Sequence, residues 1–355
     1  MKRALLANIL FALASVIGYG LATSSPGNKE DAPGFVLFSS AMNRFEKITY
    51  ESPSFRAEIE PRRDATGAYL WAKTWRDPNP SSERDVVRTD AFKVDAELGQ
   101  KLLSKVLPLT TPRILERARI DATKMSELGL ASTERTLSLA RKGEAPVVFS
   151  LGREGYGHRR VYALEQERVV LLDEEVVRAL ERADTYLPQR TLWSGGSARI
   201  VSAMITDGTT QAEIVQLNRD DPELTYWSFS DREGRSKRAK ALIKMLEVVR
   251  ASGYVDAQQS SSPYRITLRF EDGSEDTLAF DFASNEAKSE EPGDSEAKKA
   301  KKEAMEMIVS SPWLRGRVRL NPIVGERLHQ RFLEALRARD EEVMLSPPTR
   351  TEHVH

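Results

Sequence analysis

The block from Ala145 to Leu187, APVVFSLGREGYGHRRVYALEQERVVLLDEEVVRALERADTYL, constrains the fold more than any other stretch. The apolar run Val147–Leu151 meets a glycine-rich turn. Arg160–Leu164 and Arg168–Leu172 then follow at short spacing. Runs of this length, rich in Val, Leu and Tyr and separated by a few turn residues, read as strands in antiparallel hairpins. Asp173 then opens a helical pattern to Leu187, with Val176, Val177, Leu180 and Ala183 on one stripe.

A faded copy of this arrangement recurs later in the chain. The first unit opens with strands at Phe45–Tyr50 and Phe55–Ile59 and a third at Tyr69–Ala72. A helix from Asp95 to Leu109 comes next, limited by Pro108 and Pro112, then a break at Gly129 and a strand at Arg135–Ala140. After Trp193-Ser194-Gly195-Gly196-Ser197, a joint, the order begins again. Arg199–Val201 with Met204-Ile205, then Gln211–Val215 and Tyr226–Phe229, echo the three opening strands. Ser236–Arg250 echoes the helix, with Gly253 suited to its stop. Tyr264–Leu268 and Thr277–Phe280 form a hairpin, Met307–Val309 and Val318–Leu320 complete the strands, and Asn321-Pro322 caps a last helix.

The predicted class is therefore α+β: two repeated units of antiparallel strands plus helices, behind an N-terminal transmembrane helix. The expected divisions are residues 1–34 (membrane segment and linker), 35–193 (first unit), 194–337 (second unit) and 338–355 (polar tail). A charged insertion at 284–303, acidic and then lysine-rich, interrupts the second unit. The 355 residues suffice for two cores of this size.

Ahead of both units, Met1-Lys2-Arg3 precedes an uncharged run from Ala4 to Ala22. As a helix it spans roughly 28 Å, close to the ~30 Å bilayer core. Lys2 and Arg3 would hold the N-terminus in the cytoplasm and place the rest of the chain in the periplasm. A retained inner-membrane anchor is one reading. Cleavage after Ala22, at the small residues of Gly20-Leu21-Ala22, is the other and would release a periplasmic protein.

Lys+Arg and Asp+Glu both number 53, which gives no basic excess for a nucleic-acid partner. With no cysteine, disulfides, thiolate catalysis and Cys-ligated metals are excluded. His158 and His329 have no partner at metal-ligand spacing, and no cofactor motif is present.

Ser126-Glu127-Leu128-Gly129-Leu130, Thr136–Leu139, Phe149–Gly152, Arg160-Val161-Tyr162 and Val169–Leu172 together resemble an uncharacterised bacterial family, domain of unknown function 4340. The resemblance covers about Phe45–Leu192 well and the second half weakly. It implies an N-terminal membrane segment and a "Leu-Gly … Val-Tyr" hairpin. Members are often encoded beside ABC-transporter permeases and gliding-motility-type components, which implies an envelope role beside such a complex. The family supplies no catalytic residues, and the 284–303 insertion departs from its usual compactness.

Candidate sites are few. The turn Gly152–His158 lacks the GxxxxGK[ST] pattern and reads as a hairpin loop. Arg153, Tyr156, His158, Arg159 and Arg160 make the one ligand-contact patch it offers, suited to an anion or a glycan. Glu271, Asp272, Glu275 and Asp276 read as a solvated acidic turn. Trp71, Trp75, Trp193, Trp227 and Trp313 recur at matching points of the two units and read as core, and His329 falls on the polar side of its helix. No catalytic constellation emerges. The expectation is a non-enzymatic, membrane-anchored binding or scaffold protein with an integral-membrane or envelope partner, contacted through the groove between the units. The alternative is a soluble periplasmic binder of glycan or peptide.

Overall fold

A computed structural model describes residues 34–77, 88–155, 159–195, 197–221, 223–232, 234–255, 262–283 and 306–343. Lys2, Arg3, the Ala4–Ala22 segment, the 284–303 insertion and the end of the tail lie outside the described residues, as do Tyr156 and His158. The α+β class is as expected, and the two large sheets are antiparallel throughout.

The first part runs β1 (Phe35–Phe38), β2 (Phe45–Ser52), β3 (Phe55–Asp64), β4 (Gly67–Arg76), β5 (Arg88–Lys93), α1 (Ala96–Val106), β6 (Leu109–Thr111), β7 (Ile114–Glu116) and α2 (Ala122–Glu127). It continues with β8 (Thr136–Arg141), β9 (Val147–Glu154), β10 (Arg160–Glu165), β11 (Arg168–Asp173), α3 (Glu174–Glu181) and α4 (Ala183–Tyr186). The second runs β12 (Ile200–Thr206), β13 (Gln211–Leu217), β14 (Tyr226–Phe229), α5 (Lys237–Val248), β15 (Ala251–Val255), β16 (Tyr264–Phe270), β17 (Glu275–Ala283), β18 (Glu306–Ser311), β19 (Gly316–Leu320) and α6 (Pro322–Val343).

One strand order serves both large sheets. The first is β5-β4-β3-β2-β8-β9-β10-β11-β7, and the second is β14-β13-β12-β16-β17-β18-β19-β15. Strand for strand, β4 answers to β14, β2 to β12, β8 to β16, β11 to β19 and β7 to β15, with β5 an added edge. The helix caps repeat as well. Asp95 accepts from the amides of Glu97 and Leu98 at the start of α1, and Ser236 accepts from Ala239 at the start of α5. Asp173 accepts from Glu175 at 2.8 Å before α3, and Asn321 from Ile323 at 3.1 Å before α6.

Period-two alternation decides which face each strand buries. Ile48 and Tyr50 on β2, Ala57 and Ile59 on β3 and Val170 and Leu172 on β11 point into the first core. Val169 points the other way, into a small cluster with Met125, Leu128 and Leu130. The second core is separate, and among the described residues Tyr254 alone packs against both.

Several expectations change at this level. The helix expected over Asp173–Leu187 breaks at Arg182 into α3 and α4. Gly253 is not a helix stop; it lies in β15 beside a shift of register with β19, and α5 ends earlier at Val248. The last helix continues to Val343, into the stretch expected as tail. The edge strands β5, β7 and β15 were not expected; each is short or interrupted by polar residues.

The quoted "Leu-Gly" motifs have a physical basis. Gly129 sits at φ +70 and the Leu128 carbonyl accepts from the Arg153 amide at 2.8 Å. A Cβ on Gly152 would lie 2.3 Å from that carbonyl oxygen, so only glycine lets the two segments meet.

Candidate functional site

Two features outside the cores bring together chemically active side chains: the seam between the sheets and a groove on the first unit.

The seam forms where β5, the added edge strand, meets the β18–β19 hairpin. Alternation along β5 turns Phe92 into the first core and Lys93 to the opposite face, where the hairpin covers it. The Lys93 ammonium lies 3.3 Å from the centroid of the Trp313 ring and donates to the Trp313 carbonyl at 2.9 Å. Two residues on, Arg315 (φ 52) turns back to form a two-pronged pair with Asp64, at 2.6 and 3.1 Å, and stacks on Tyr69 at 4.1 Å. Tyr254 packs on Phe92 with ring centroids 6.0 Å apart, and its hydroxyl donates to the Leu314 carbonyl. A bridge between Thr191 and Arg250, with Ser311 donating to the Leu192 carbonyl, completes the junction.

Burial sets the electrostatics here. It pushes the Lys93 ammonium down to about 8, with Arg315 adding to the effect and Asp95, Asp276 and Asp64 opposing it. Burial likewise raises Asp276 to about 6. The Asp276 oxygens make no well-formed hydrogen bond among the described residues, and the nearby Trp313 and Thr277 amides only partly offset the loss of water. Hydrogen bonds from Arg315 and Thr66 hold the Asp64 carboxyl well below the usual range. Lys93 is only 3% exposed, so the seam couples the units instead of presenting an amine to a substrate. The space left between the units is a crevice of about 230 Å³, walled by Asp90, Phe92, Gln189, Arg190 and Tyr254.

On the first unit, α1 and α3 stand apart and leave a groove of about 270 Å³. Leu98, Leu102, Val176 and Ala179 line it with apolar surface, and Lys101, Lys105, Arg178 and Arg182 stand along it. Lys105 pairs with Asp173 at 2.8 Å and with Glu175 at 2.7 Å, while Arg178 pairs with Glu174.

Only Arg153, Arg159 and Arg160 of the expected ligand patch are among the described residues. Tyr156 and His158 lie outside the described residues. Arg153 lies against Gly129, whereas Arg159 and Arg160 reach the start of α3: the Arg159 carbonyl accepts from the Glu174 amide at 3.1 Å, and Arg160 sits opposite Asp173. The acidic turn is solvated only in part. Glu271, Asp272 and Glu275 pair with Arg219, Arg199 and Arg269, but Asp276 is buried.

The tryptophans divide. Trp193 and Trp227 are core. Trp71 and Trp75 are half-buried on the outer face of β4, opposite Leu70 and Ala72, beneath the guanidinium groups of Arg62 and Arg56. His329 is half-buried, edge-on to Tyr264 at 5.7 Å, and burial lowers its pKa; it is not on a polar face. Among the described residues no group of three metal-ligating side chains occurs, and no helix is long and apolar enough to cross a membrane.

Trp313, expected as core, packs against the second core only part-buried and covers Lys93. Lys93 and Arg315 were not singled out in the sequence, and no local signal marks them. The groove did leave one: Lys101/Lys105 and Arg178/Arg182 are basic pairs one turn apart, at the borders of apolar stripes.

No protein-family model matches the chain, and no curated protein matches it.

Proposed function

We propose that this chain is a non-enzymatic envelope protein, anchored in the inner membrane by Ala4–Ala22. Its periplasmic body would bind or scaffold a membrane complex of the ABC-transporter or gliding-motility-like kind. The observation that carries the reading is the seam: an added strand, a buried Lys93 under Trp313 and the Arg315–Asp64 pair join two sheets of one strand order into a single unit. Joined sheets of this kind suit a body that holds partners at a fixed spacing. The basic residues Lys2 and Arg3 ahead of an uncharged run supply the topology. The likeness to domain of unknown function 4340 supplies the kind of complex. Affinity capture of the native protein from solubilised membranes tests the reading. It predicts stoichiometric recovery of an integral-membrane partner, and recovery of none removes the scaffold role.

One observation favours the alternative, a soluble periplasmic glycan binder. Trp71 and Trp75 stand half-buried on the outer face of β4 with Arg62 and Arg56 over their rings, a pairing of aromatic and cationic groups suited to a glycan. A rise in melting temperature with envelope glycans, lost in Trp71→Ala, would select this second reading.

A further inference from the structure

We propose that the groove between α1 and α3 is a docking site for an amphipathic helix of a partner protein, one carrying acidic residues along both edges of its apolar stripe. The proposal rests on the binding-body reading above and names its contact surface.

Comparison of the two units carries the argument. In the second unit α5 packs directly along α6, and the apolar side chains of both helices enter one core. In the first unit α1 and α3 touch less and leave the groove open. Gly99, Leu102 and Val106 of α1 match Ala239, Leu242 and Leu246 of α5 as buried positions. In that alignment Lys101 and Lys105 stand where the second unit has Ala241 and Met245. Met245 packs on its core, whereas Lys101 is exposed and Lys105 half-exposed. The first unit has therefore exchanged a sealed helix pair for an open one with an apolar floor and basic walls.

Charge and dimensions select the occupant. Lys101 and Lys105 are one turn apart on one wall, and Arg178 and Arg182 one turn apart on the other. The surrounding carboxylates Asp173, Glu174 and Glu175 engage Lys105, Arg178 and Lys101, and Arg182 has no ion pair among the described residues. The existing pairs are partly exposed, so exchanging them for a partner's carboxylates costs little. A lipid offers one anionic group at one end of its chain and satisfies one end of such a groove. A helix with Asp or Glu on both flanks satisfies both walls. The stretch of α1 that lines the groove, Leu98 to Lys105, spans about 10.5 Å, the span of apolar anchors at i, i+4 and i+7. At one end Tyr186, 44% exposed, supplies an aromatic contact of the kind that dominates binding energy.

The test uses the full-length protein and a synthetic 14-residue helical peptide with leucines at i, i+4 and i+7 flanked by glutamates. Comparison peptides have lysine for glutamate or a scrambled order. The glutamate peptide is expected to bind, with at least a tenfold loss of affinity in Lys101→Glu/Arg182→Glu and a gain for the lysine peptide in that variant. The gain shows that the variant is folded. No binding, or binding indifferent to the double substitution, overturns the proposal. So does saturable uptake of dodecanoate without the peptide, or self-association abolished by the same substitutions, since the occupant is then a lipid or a second copy.

The absence of cysteine allows single-site photo-crosslinking in native membranes from Ala179→Cys in the groove or Lys73→Cys on the outer face of β4. Crosslinks to an integral-membrane protein from Lys73→Cys alone sink the groove and leave the binding body standing. Crosslinks from neither position sink both.

Discussion

At the scale of single residues, Asp276 is a carboxylate buried with neither oxygen well hydrogen-bonded among the described residues. Its carboxyl titrates near 6 instead of 3.8 because it is buried without good partners. Between those values the native state holds more proton than the unfolded state, so stability falls as pH rises through that window. Asp276→Asn is expected to stabilise the protein at about pH 7 by roughly 1–3 kcal/mol, a gain that shrinks toward pH 4. Urea unfolding at the two pH values measures it, and an equal effect at both contradicts the burial argument. Gly152→Ala makes the opposite case: forcing a Cβ against the Leu128 carbonyl is expected to cost roughly 1–3 kcal/mol. Gly253→Ala, with open space around it, is the control and should stay within about 0.5 kcal/mol in the same unfolding experiment. The burial of Asp276 was legible in principle. Alternation from Leu278 and Phe280 runs back to it, but the turn chemistry of Asp272-Gly273-Ser274 drew all four acids into one solvated cluster. Trp71 and Trp75 went astray for a related reason. Both faces of β4 carry apolar residues, and the smaller Leu70 and Ala72 are the ones that point inward.

At the scale of elements, helix starts were plain and helix ends were not. Asp173 and Asn321 mark their helices because a side-chain oxygen is needed to receive a free amide of the first turn. Asp173→Ala removes both that cap and a partner of Lys105. It is expected to cost roughly 1–2 kcal/mol, more than Lys105→Ala, whose loss is a partly exposed ion pair. Thermal denaturation of the two variants orders them, and a greater loss from Lys105→Ala contradicts the cap assignment. The break at Arg182 and the edge strands β5, β7 and β15 left little local trace. Their conformations are settled by neighbours distant in sequence, as with Phe92 and Lys93, which are fixed by Tyr254 and Trp313.

At the scale of the whole molecule, the correspondence of strands from β2–β4 to β12–β14 was readable because hydrophobic alternation survives divergence. The seam was not readable, because it joins residues 220 and 251 positions apart with no local pattern. Two cores meet through Tyr254, Lys93 and the Trp313 hairpin. The native protein is therefore expected to unfold in one calorimetric transition and Trp313→Ala in two; a single transition in both assigns the coupling elsewhere. The proposal of an anchored, two-sheet envelope body is tested most directly by fractionating the untagged native protein and sequencing its N-terminus. The account predicts an intact Met1-Lys2-Arg3 terminus in the membrane fraction. A soluble periplasmic product beginning at Thr23 would contradict it and turn attention to the outward tryptophans of β4 as a ligand surface.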